Sequence, residues 1–423
     1  MKLSDDQENA AKMFGAFLLN DEIHEMVIEG RSGSGKSTLA SHLIDIARKQ
    51  ASMLQLITNE KNEIVVHCTA TTNKASRVLS DKAKQEAKTI HSLLGLQVKN
   101  NFRTGKTSLK RTKDYRPYKN TLIIVDEASM ADKALLKEIR EATPTCKVLY
   151  IGDPYQLAPV KETTCPVFDS VKHKAILTMI MRQGKGSPIA ALGDRFRETV
   201  ETGVFPDINA YVDGKEIIRV SGSEFQQMVS TTFTKGMCEN KAKIVAWRNT
   251  QVQAYNAHVR SLFTSSEAFE VGEVVVTNNP ILSAGTQFST DQLVEITGVE
   301  SAINHDLECW HYELNGGTHV YQAKEQYRVA ARLKALADEK DFASYFFIKE
   351  GFVDLRATYA STVHKCQGST YETIFIDLND IGDCYDWQDV ARMLYVSITR
   401  ASKQVVLYGE LPEKYRGIPE IGG

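Results

Sequence analysis

Short apolar runs alternate with longer amphipathic stretches over the first 175 residues of this 423-residue chain. The runs Met26–Glu29, Ile64–Cys68, Leu122–Val125 and Lys147–Ile151 predict strands. The helices predicted between them run from Ser37 to about Lys49, from Asn73 onward, and over Asp132–Glu141. Because strands and helices alternate, the pattern predicts an α/β fold with a parallel sheet that is covered on both faces.

The second half repeats this alternation with a β-rich interruption. Strands are predicted at Lys243–Trp247, Thr373–Leu378 and Gln404–Gly409. Helices are predicted at Val252–Phe263 and Asp389–Val396. Between about Phe269 and Lys349, the runs Val271–Val276 and Leu293–Ile296 predict a small inserted β-domain, with a helix near Ala323–Ala337.

A different pattern covers Gln97 to Lys119, where polar alternation surrounds an Arg-Thr-Gly-Lys turn at Arg103–Lys106. It predicts a β-hairpin that projects from the sheet domain. The segment carries eight lysines and arginines against one acidic residue, Asp114. We interpret it as a candidate wedge for nucleic acid, in which Phe102 near the tip stacks on the first paired base; a solvated charged hairpin is the alternative.

Composition narrows the class of protein. The length suggests two or three domains, and 42% apolar with 25% charged residues is ordinary for a globular protein. No apolar run is long enough to span a membrane, and the acidic start does not resemble a signal peptide. Seven widely spaced cysteines without a C-x-x-C pair argue against a zinc site and for a reducing, cytoplasmic compartment. The net charge of −2 decides little, since only local basic surface is needed to bind nucleic acid.

The segment Gly30–Ser37 reads G-R-S-G-S-G-K-S and follows a predicted strand directly. This is the pattern of a phosphate-binding loop, whose backbone N–H groups and helix N-terminus surround the phosphates of ATP. Lys36 is expected to reach the β- and γ-phosphates and Ser37 to ligate Mg²⁺. The nucleotide-binding set is Gly30, Ser32, Gly33, Ser34, Gly35, Lys36, Ser37 and Thr38. A glycine-rich turn with a chance lysine is the alternative.

Further candidates for phosphoryl transfer follow. Asp126 and Glu127 end an apolar strand, where Asp126 can hold Mg²⁺ and Glu127 can activate the attacking water; an acidic helix cap is the alternative. Gln156 follows the next strand and is either a γ-phosphate sensor or part of a simple turn. Arg182 and Arg400 are candidates for stabilising the transition state, although a lone arginine is more often a surface ion-pair partner.

The order of these motifs resembles superfamily-one helicases of the RecD-like group (group B), in particular the small Dda-type phage helicases. The segments that carry the resemblance are Leu3–Gln7, Gly30–Ser37, Cys68–Ala75, Thr89–Ser92, Asp126–Ser129, Gly152–Val160, Met181–Gln183, Ser361–Thr370 and Leu394–Ala401. The resemblance implies that Gln7 reads the adenine base and that Gln156 senses the γ-phosphate. It also implies that Arg182 and Arg400 are arginine fingers.

The resemblance implies DNA contacts as well. The residues expected to contact the strand are Thr72, Asn73, Thr89, His91, Thr362, His364 and Lys365. Hydroxyl and amide groups suit this role because they bond phosphates without reading base identity. Taken singly, each such threonine is more often a helix cap, and each histidine more often structural.

The fold that results is two RecA-like P-loop domains with two insertions. The expected boundaries are 1–96 with 120–175 for the first motor domain, 97–119 for the hairpin, 176–268 with 350–423 for the second motor domain, and 269–349 for an SH3-like β-rich insertion. The expected cofactors are ATP and Mg²⁺.

The resemblance implies an ATP-dependent DNA helicase that moves 5′ to 3′ on single-stranded DNA and unwinds forked duplex DNA in replication or recombination. The expectation is a monomer in the bacterial cytoplasm, of phage or host origin, with a single-strand-binding protein or a replisome component as a further partner. The alternatives are a RecD-like motor subunit of a recombination nuclease complex, a P-loop kinase, and a non-enzymatic strand-binding module.

Overall fold

The computed structural model describes residues 3–58, 65–112, 115–159, 162–179, 186–234, 241–283 and 286–417. The chain divides into two compact units, of which the first comprises residues 1–95, 113–221 and 366–423 and the second residues 96–112 and 222–365. Within the described ranges, no helix is both long enough and apolar enough to cross a bilayer.

The strands follow the chain in this order: β1 Glu25–Gly30, β2 Val65–Ala70, β3 Ala87–Thr89, β4 Leu96–Asn100, β5 Thr107–Arg111, β6 Lys119–Asp126, β7 Thr145–Gly152, β8 Lys174–Leu177, β9 Ile217–Val220, β10 Ala242–Ala246, β11 Val274–Thr277, β12 Ile281–Ser283, β13 Thr286–Phe288, β14 Leu293–Asn304, β15 Leu307–Leu314, β16 Thr318–Ala323, β17 Leu355–Arg356, β18 Ala360–Thr362, β19 Tyr371–Asp377 and β20 Ala401–Tyr408.

The α-helices are α1 Asp5–Leu19, α2 Lys36–Thr58, α3 Asn73–Ala83, α4 Ile90–Leu93, α5 Lys133–Ala142, α6 Pro166–Ser170, α7 Pro188–Thr202, α8 Gly222–Thr232, α9 Asn249–Ser261, α10 Gln326–Asp338, α11 Phe342–Gly351, α12 Val363–Cys366, α13 Leu378–Gly382 and α14 Trp387–Thr399. Short 3₁₀ helices occupy Ala128–Met130, Ile208–Tyr211 and Glu413–Tyr415.

The first unit contains a six-stranded sheet in the order β3-β2-β6-β7-β1-β8, with every pair parallel. The predicted parallel sheet is therefore confirmed. Apolar side chains of α1 and α2, such as Phe14, Phe17 and Leu43, pack with Met26 and Ile28 of β1 in its core. Because all strands run in one direction, the loops after β1, β2, β6 and β7 leave the sheet at the same edge.

The same unit holds a second parallel group, in the order β19-β20-β9. Helix α14 lies beside it, and every residue from Val390 to Thr399 is buried. A helix that is buried on all sides belongs to the interior of a domain. Polar side chains on α14 therefore need partners inside the protein.

The second unit is β-rich over much of its length. Its largest sheet is antiparallel in the order β16-β15-β14-β11-β17, and β12-β13 and β4-β5 are separate hairpins. Strands β10 and β18 pair in parallel. Antiparallel strands thus occupy the predicted insertion, and the first of them begins at Val274, three residues after the start of the predicted run. The predicted helix near Ala323 begins at Gln326, because β16 continues to Ala323.

The basic hairpin is shorter than predicted. It pairs Leu96 with Arg111 and Asn100 with Thr107, whereas Lys119 is the first residue of β6. Five of the eight predicted cations lie on the hairpin itself, namely Lys99, Arg103, Lys106, Lys110 and Arg111. No acidic residue lies between Leu96 and Arg111, so the hairpin is wholly basic.

Candidate nucleotide site and nucleic-acid contacts

The phosphate loop joins β1 to α2 in the first unit. Gly33 and Gly35 have φ angles of +82° and +78°, a backbone region that favours glycine. A Cβ atom on Gly35 would lie 2.7 Å from Nε2 of Gln7, so a side chain there would force Gln7 away. The Lys36 ammonium donates to the carbonyl oxygens of Gly30 at 2.7 Å and Arg31 at 2.9 Å. Burial lowers the pKa of Lys36, against the opposing charges of nearby carboxylates.

Asp126 and Glu127 stand at the end of β6. Burial raises the pKa of Asp126 to about 6, the Glu127 charge adds to this rise, and Lys36 opposes it. Glu127 has a φ angle of +50°, which is uncommon for a residue with a side chain. Its Oε2 atom is buried and has no hydrogen-bond partner among the described residues. Such a carboxylate oxygen is free to bind a ligand or a water molecule.

Gln156 lies in the loop after β7. Its Nε2 atom is 3.4 Å from Oδ2 of Asp153, and its buried Oε1 atom has no partner within the described part of the chain. Oδ2 of Asp153 also accepts a hydrogen bond of 2.7 Å from the Tyr395 hydroxyl. The Arg392 guanidinium donates to the carbonyl oxygens of Pro154 at 2.7 Å and Gln156 at 2.6 Å. The loop is therefore held by two residues of α14.

Arg400 follows α14 and lies against the phosphate loop. It is 2% exposed and donates from Nη2 to the Ser32 hydroxyl at 2.9 Å. A weaker bond of 3.4 Å joins it to the Ser369 carbonyl, and its Nε atom has no hydrogen-bond partner among the described residues. The structure thus brings Arg400 to the loop that also carries Lys36. The other predicted arginine, Arg182, lies outside the described residues.

Gln7 lies beneath the phosphate loop. Its Oε1 atom accepts from the Ser4 backbone at 3.1 Å, and its Nε2 atom donates to the Ser34 carbonyl at 3.0 Å. Both ends of the amide are therefore occupied, and Gln7 connects α1 to the loop. Ser37 and Thr38 are half-buried in the first turn of α2.

Polar atoms without partners converge on these loops. Among the described residues they include Ser34 Oγ, Glu127 Oε2, Gln156 Oε1 and Arg400 Nε. Buried polar atoms of native proteins are nearly always hydrogen-bonded, so such a cluster favours a polar ligand. The glycine-lined loop, the ammonium of Lys36 and the carboxylates of Asp126 and Glu127 fit a Mg²⁺-bound nucleoside triphosphate.

The first group of predicted DNA contacts lies at the same sheet edge. Thr72 caps α3 and accepts from the Ala75 N–H at 3.2 Å, and Thr89 caps α4 through Ser92 at the same distance. Both roles use an oxygen lone pair, so the hydroxyl proton of each threonine can still donate to a phosphate. Asn73 is the first residue of α3. Burial lowers the pKa of His91, which favours its neutral form at pH 7.

The second group lies in the second unit, at the end of β18 and in α12. His364 is exposed, whereas Thr362 is 7% exposed. The Lys365 ammonium is bound at 2.7 Å by Asn278 Oδ1 and at 2.8 Å by Asp291 Oδ1. A phosphate that contacts Lys365 would therefore have to compete with this ion pair.

The tip of the basic hairpin packs against α11 within the second unit. Phe102 is 58% exposed, and its ring meets that of Phe346 edge-on at 5.3 Å. Asn100 donates to Glu350 Oε1 at 2.8 Å. Gly105 has a φ angle of +66°, and a Cβ atom there would lie 2.4 Å from the Phe342 ring. Helix α11 was not predicted from the sequence, and neither was this contact.

Sequence reasoning also missed several residues at the loops that carry Lys36, Glu127 and Gln156. They are Arg392, Tyr395, Asp153 and Gln367, whose amide donates to the Ser129 hydroxyl at 3.2 Å. An arginine and a tyrosine in an apolar stretch look like ordinary core or surface residues. The only sequence signal for these residues was that they lie inside, or next to, the segments that carry the family resemblance.

Two family models match the chain. A model described as an AAA domain matches residues 2–218, which is half of the chain, and a model described as a UvrD-like helicase C-terminal domain matches residues 357–408.

Known proteins match over most of the chain. The ATP-dependent DNA helicase dda of Enterobacteria phage T4 is 25% identical and covers 95% of this chain and 98% of its own. The ATP-dependent RecD2 DNA helicase of Deinococcus radiodurans is also 25% identical, over 89% of this chain and 46% of its own. A solved structure of Pif1 helicases at forked duplex DNA covers 99% of this chain and 95% of its own, with a TM-score of 0.54 at 17% identity. A Bacteroides Pif1 structure with ADP-AlF3 and single-stranded DNA has a TM-score of 0.53 at 16% identity. At these identities the structures establish a shared fold.

Proposed function

The chain belongs to the AAA-domain family, whose model matches residues 2–218, and from that premise we propose that it is an ATP-dependent DNA helicase of superfamily one. It hydrolyses ATP, moves 5′ to 3′ along single-stranded DNA and separates forked duplex DNA. The two curated relatives at 25% identity are both ATP-dependent DNA helicases, which supports the activity. The direction rests on the resemblance to the RecD-like group, and a bacterial cytoplasm is the proposed compartment.

The observation that carries the proposal is the meeting of Arg400 with the phosphate loop at Ser32, 2.9 Å apart. Lys36 and the loop amides hold the phosphates, and Arg400 offers positive charge where the transferred phosphoryl group becomes more negative. Ser37 and Asp126 would hold Mg²⁺, which would neutralise phosphate charge. Glu127 orients the attacking water through its unpartnered oxygen. Gln156 bonds the γ-phosphate.

Movement requires a grip on DNA that changes with the nucleotide. Thr72, Asn73, Thr89 and His91 form one proposed set of phosphate contacts, and Thr362, His364 and Lys365 form another. If the strength of the two grips alternates during hydrolysis, the protein advances along the strand. The basic hairpin with Phe102 is the proposed wedge that meets the duplex. A single-strand-binding protein is a further proposed partner.

The first test compares ATPase activity with and without single-stranded DNA. The wild-type chain should show strong stimulation, which a P-loop kinase would not. Lys36→Ala should abolish the stimulated activity and retain DNA binding, because it removes the phosphate-binding cation. Lys49→Ala, an exposed change on the same helix, is the matched control and should behave as the wild type. Near-normal turnover by Lys36→Ala would refute the assignment of the nucleotide site.

A second test uses duplexes that carry only a 5′ or only a 3′ single-stranded tail. The isolated chain should unwind the 5′-tailed substrate when ATP and Mg²⁺ are present. Unwinding of only the 3′-tailed substrate would overturn the proposed direction. Stimulated ATPase activity without any unwinding would favour the alternative of a motor subunit that works only within a complex.

A further inference from the structure

Helix α14 places polar side chains against two loops, the phosphate loop Gly30–Ser37 and the loop Asp153–Gln156 after β7. Arg392 and Tyr395 are one helical turn apart, and Arg400 follows at the end of the helix. All three are buried, at 5%, 2% and 2% exposure. Burying such groups is costly unless they are hydrogen-bonded, so their partners are informative. Arg400 already has a proposed role in phosphoryl transfer, whereas Arg392 and Tyr395 do not.

The Tyr395 hydroxyl connects the phosphate loop to the loop that follows β7. It accepts a hydrogen bond of 3.1 Å from the backbone N–H of Ser32 and lies 2.7 Å from Oδ2 of Asp153. Because the N–H of Ser32 can only donate, the hydroxyl proton goes to Asp153. Burial, together with the charge of Asp153, keeps the pKa of Tyr395 well above its usual value, so this proton stays in place.

Arg392 acts on the same loop from one turn earlier. One terminal nitrogen, Nη1, bonds the carbonyl oxygens of Pro154 and Gln156, at 2.7 and 2.6 Å. Two short charge-assisted bonds to backbone oxygens fix the course of the chain at Gln156. The Nε2 donor of Gln156, the side-chain atom that can bond a phosphate oxygen, makes only a long contact of 3.4 Å with Oδ2 of Asp153, so it can turn to a γ-phosphate.

We propose that Arg392 and Tyr395 are positioning residues that hold the Asp153–Gln156 loop in register with the phosphate loop and with Arg400. Gln156 and Arg400 then respond to the terminal phosphate of ATP together, because one helix holds both. This inference rests on the proposed helicase function and deepens it, since it names the residues that let the site distinguish ATP from ADP.

Tyr395→Phe tests the bridge with the smallest change. It keeps the ring and removes the hydroxyl, so the Ser32 N–H and the Asp153 carboxylate each lose a partner. The DNA-stimulated kcat should fall about tenfold or more, since a buried hydrogen bond to a charged group is lost. Affinity for ADP should stay close to that of the wild type. Affinity for a non-hydrolysable ATP analogue should fall, and this selective loss is a readout that a merely structural role would not give.

Arg392 offers an independent variant. Arg392→Gln should lower the stimulated kcat and the preference for the ATP analogue over ADP, because both carbonyl contacts lose their cation. Arg392→Lys keeps the charge and should recover part of both losses. Tyr415→Phe is the matched control: it also removes a buried hydroxyl, one that donates to backbone carbonyls of Cys384 and Tyr385, away from the nucleotide loops.

The outcomes separate the two proposals. The inference is overturned if Tyr395→Phe and Arg392→Gln keep the wild-type preference for the ATP analogue over ADP and the wild-type kcat, while Lys36→Ala is inactive. If Lys36→Ala keeps its activity, the proposed function itself fails. Thermal unfolding of each variant shows whether it is folded, and should Tyr395→Phe not fold, the Arg392→Lys and Arg392→Gln pair decides the inference.

Discussion

At the scale of single residues, the buried carboxylate of Asp126 lowers the stability of the folded protein at neutral pH. Its burial, together with Glu127, raises its pKa to about 6. In the unfolded chain an aspartate titrates near 3.9. Between these values the folded protein binds more protons than the unfolded chain, so this group lowers the free energy of unfolding as pH rises. Holding the charge at neutral pH is therefore a cost, which bound Mg²⁺ would offset.

Asp126→Asn should separate these two effects. Without Mg²⁺ at pH 8, the variant should be more stable than the wild type by up to about 3 kcal/mol, since it removes a buried charge. The difference should shrink as pH falls through about 6 toward 4, where the wild-type carboxyl becomes neutral. Urea unfolding across this range measures it. ATPase activity should be lost at every pH, and a constant stability difference would contradict the argument.

Glu127→Gln should stop hydrolysis and spare binding. The amide keeps the shape of the side chain but cannot accept a proton from water, so the stimulated kcat should fall about a hundredfold or more. Binding of ATP, and DNA binding in the presence of ATP, should remain. Single-turnover hydrolysis and fluorescence anisotropy of labelled DNA measure the two properties. Loss of ATP affinity in step with kcat would assign Glu127 to binding.

At the scale of elements, the basic hairpin depends on a helix that is far from it in sequence. Helix α11 meets the hairpin tip through Phe346 and Glu350. A two-stranded hairpin alone is marginally stable in water, so this support fixes the position of Phe102. A wedge that resists the duplex needs such rigidity.

Gly105→Ala and Glu350→Ala should weaken this support. The first places a Cβ atom against the Phe342 ring at a positive φ, and the second removes the partner of Asn100. Both variants should unwind forked DNA several-fold more slowly, while DNA-stimulated ATPase activity stays near normal. Asp338→Ala, an exposed acidic change on α10, is the matched control. Equal loss of ATPase activity and unwinding would remove the idea of a separate wedge.

The elements that sequence reasoning predicted correctly are those with a local signal. Strand β6 contains the fully apolar run Leu122–Val125, and the phosphate loop is a contiguous motif between a strand and a helix. Helix α2 was predicted to end near Lys49 and continues to Thr58, and β14 continues to Asn304 rather than Ile296. The extended part of β14 pairs with the neighbouring strand β15, from Gly298 opposite Glu313 to Asn304 opposite Leu307, and the spacing of apolar residues does not record such pairing.

The same limit applies to the candidate site. Local patterns predict Lys36, Asp126 and Glu127, because Lys36 lies in the phosphate-loop motif and the two carboxylates follow one apolar run. Arg392 and Tyr395 were missed because their partners, Gln156 and Asp153, are more than 230 residues away, at separations of 236 and 242. Whether Gln7 reads adenine stays a prediction.

At the scale of the whole molecule, charge is distributed unevenly. The chain has a net charge of −2, yet the hairpin from Leu96 to Arg111 carries five positive residues and no negative one. Contacts that neutralise phosphates release counterions, so binding should weaken steeply as salt rises.

Affinity for oligonucleotides of different sequence should therefore be similar at any one salt concentration and fall together as salt increases. The slope of log K against log salt should be about −0.7 for each phosphate contact with a single strand. Neutralising Arg103 and Lys106 should reduce the slope for forked DNA and leave the slope for single strands unchanged. Anisotropy titrations with both substrates measure this. A strong sequence preference would point to base readout instead.

The hydrogen bond between Arg400 and Ser32 joins residues that are 368 positions apart in the sequence, so the ribosome adds them at different times. A ribosome that adds about 5 to 20 residues per second needs about 20 to 70 s to pass from one residue to the other. During that interval the nascent chain already carries its phosphate loop but lacks Arg400, which the proposed function assigns to phosphoryl transfer. If Arg400 acts in hydrolysis as proposed, a nascent chain that stalls within this interval should not hydrolyse ATP.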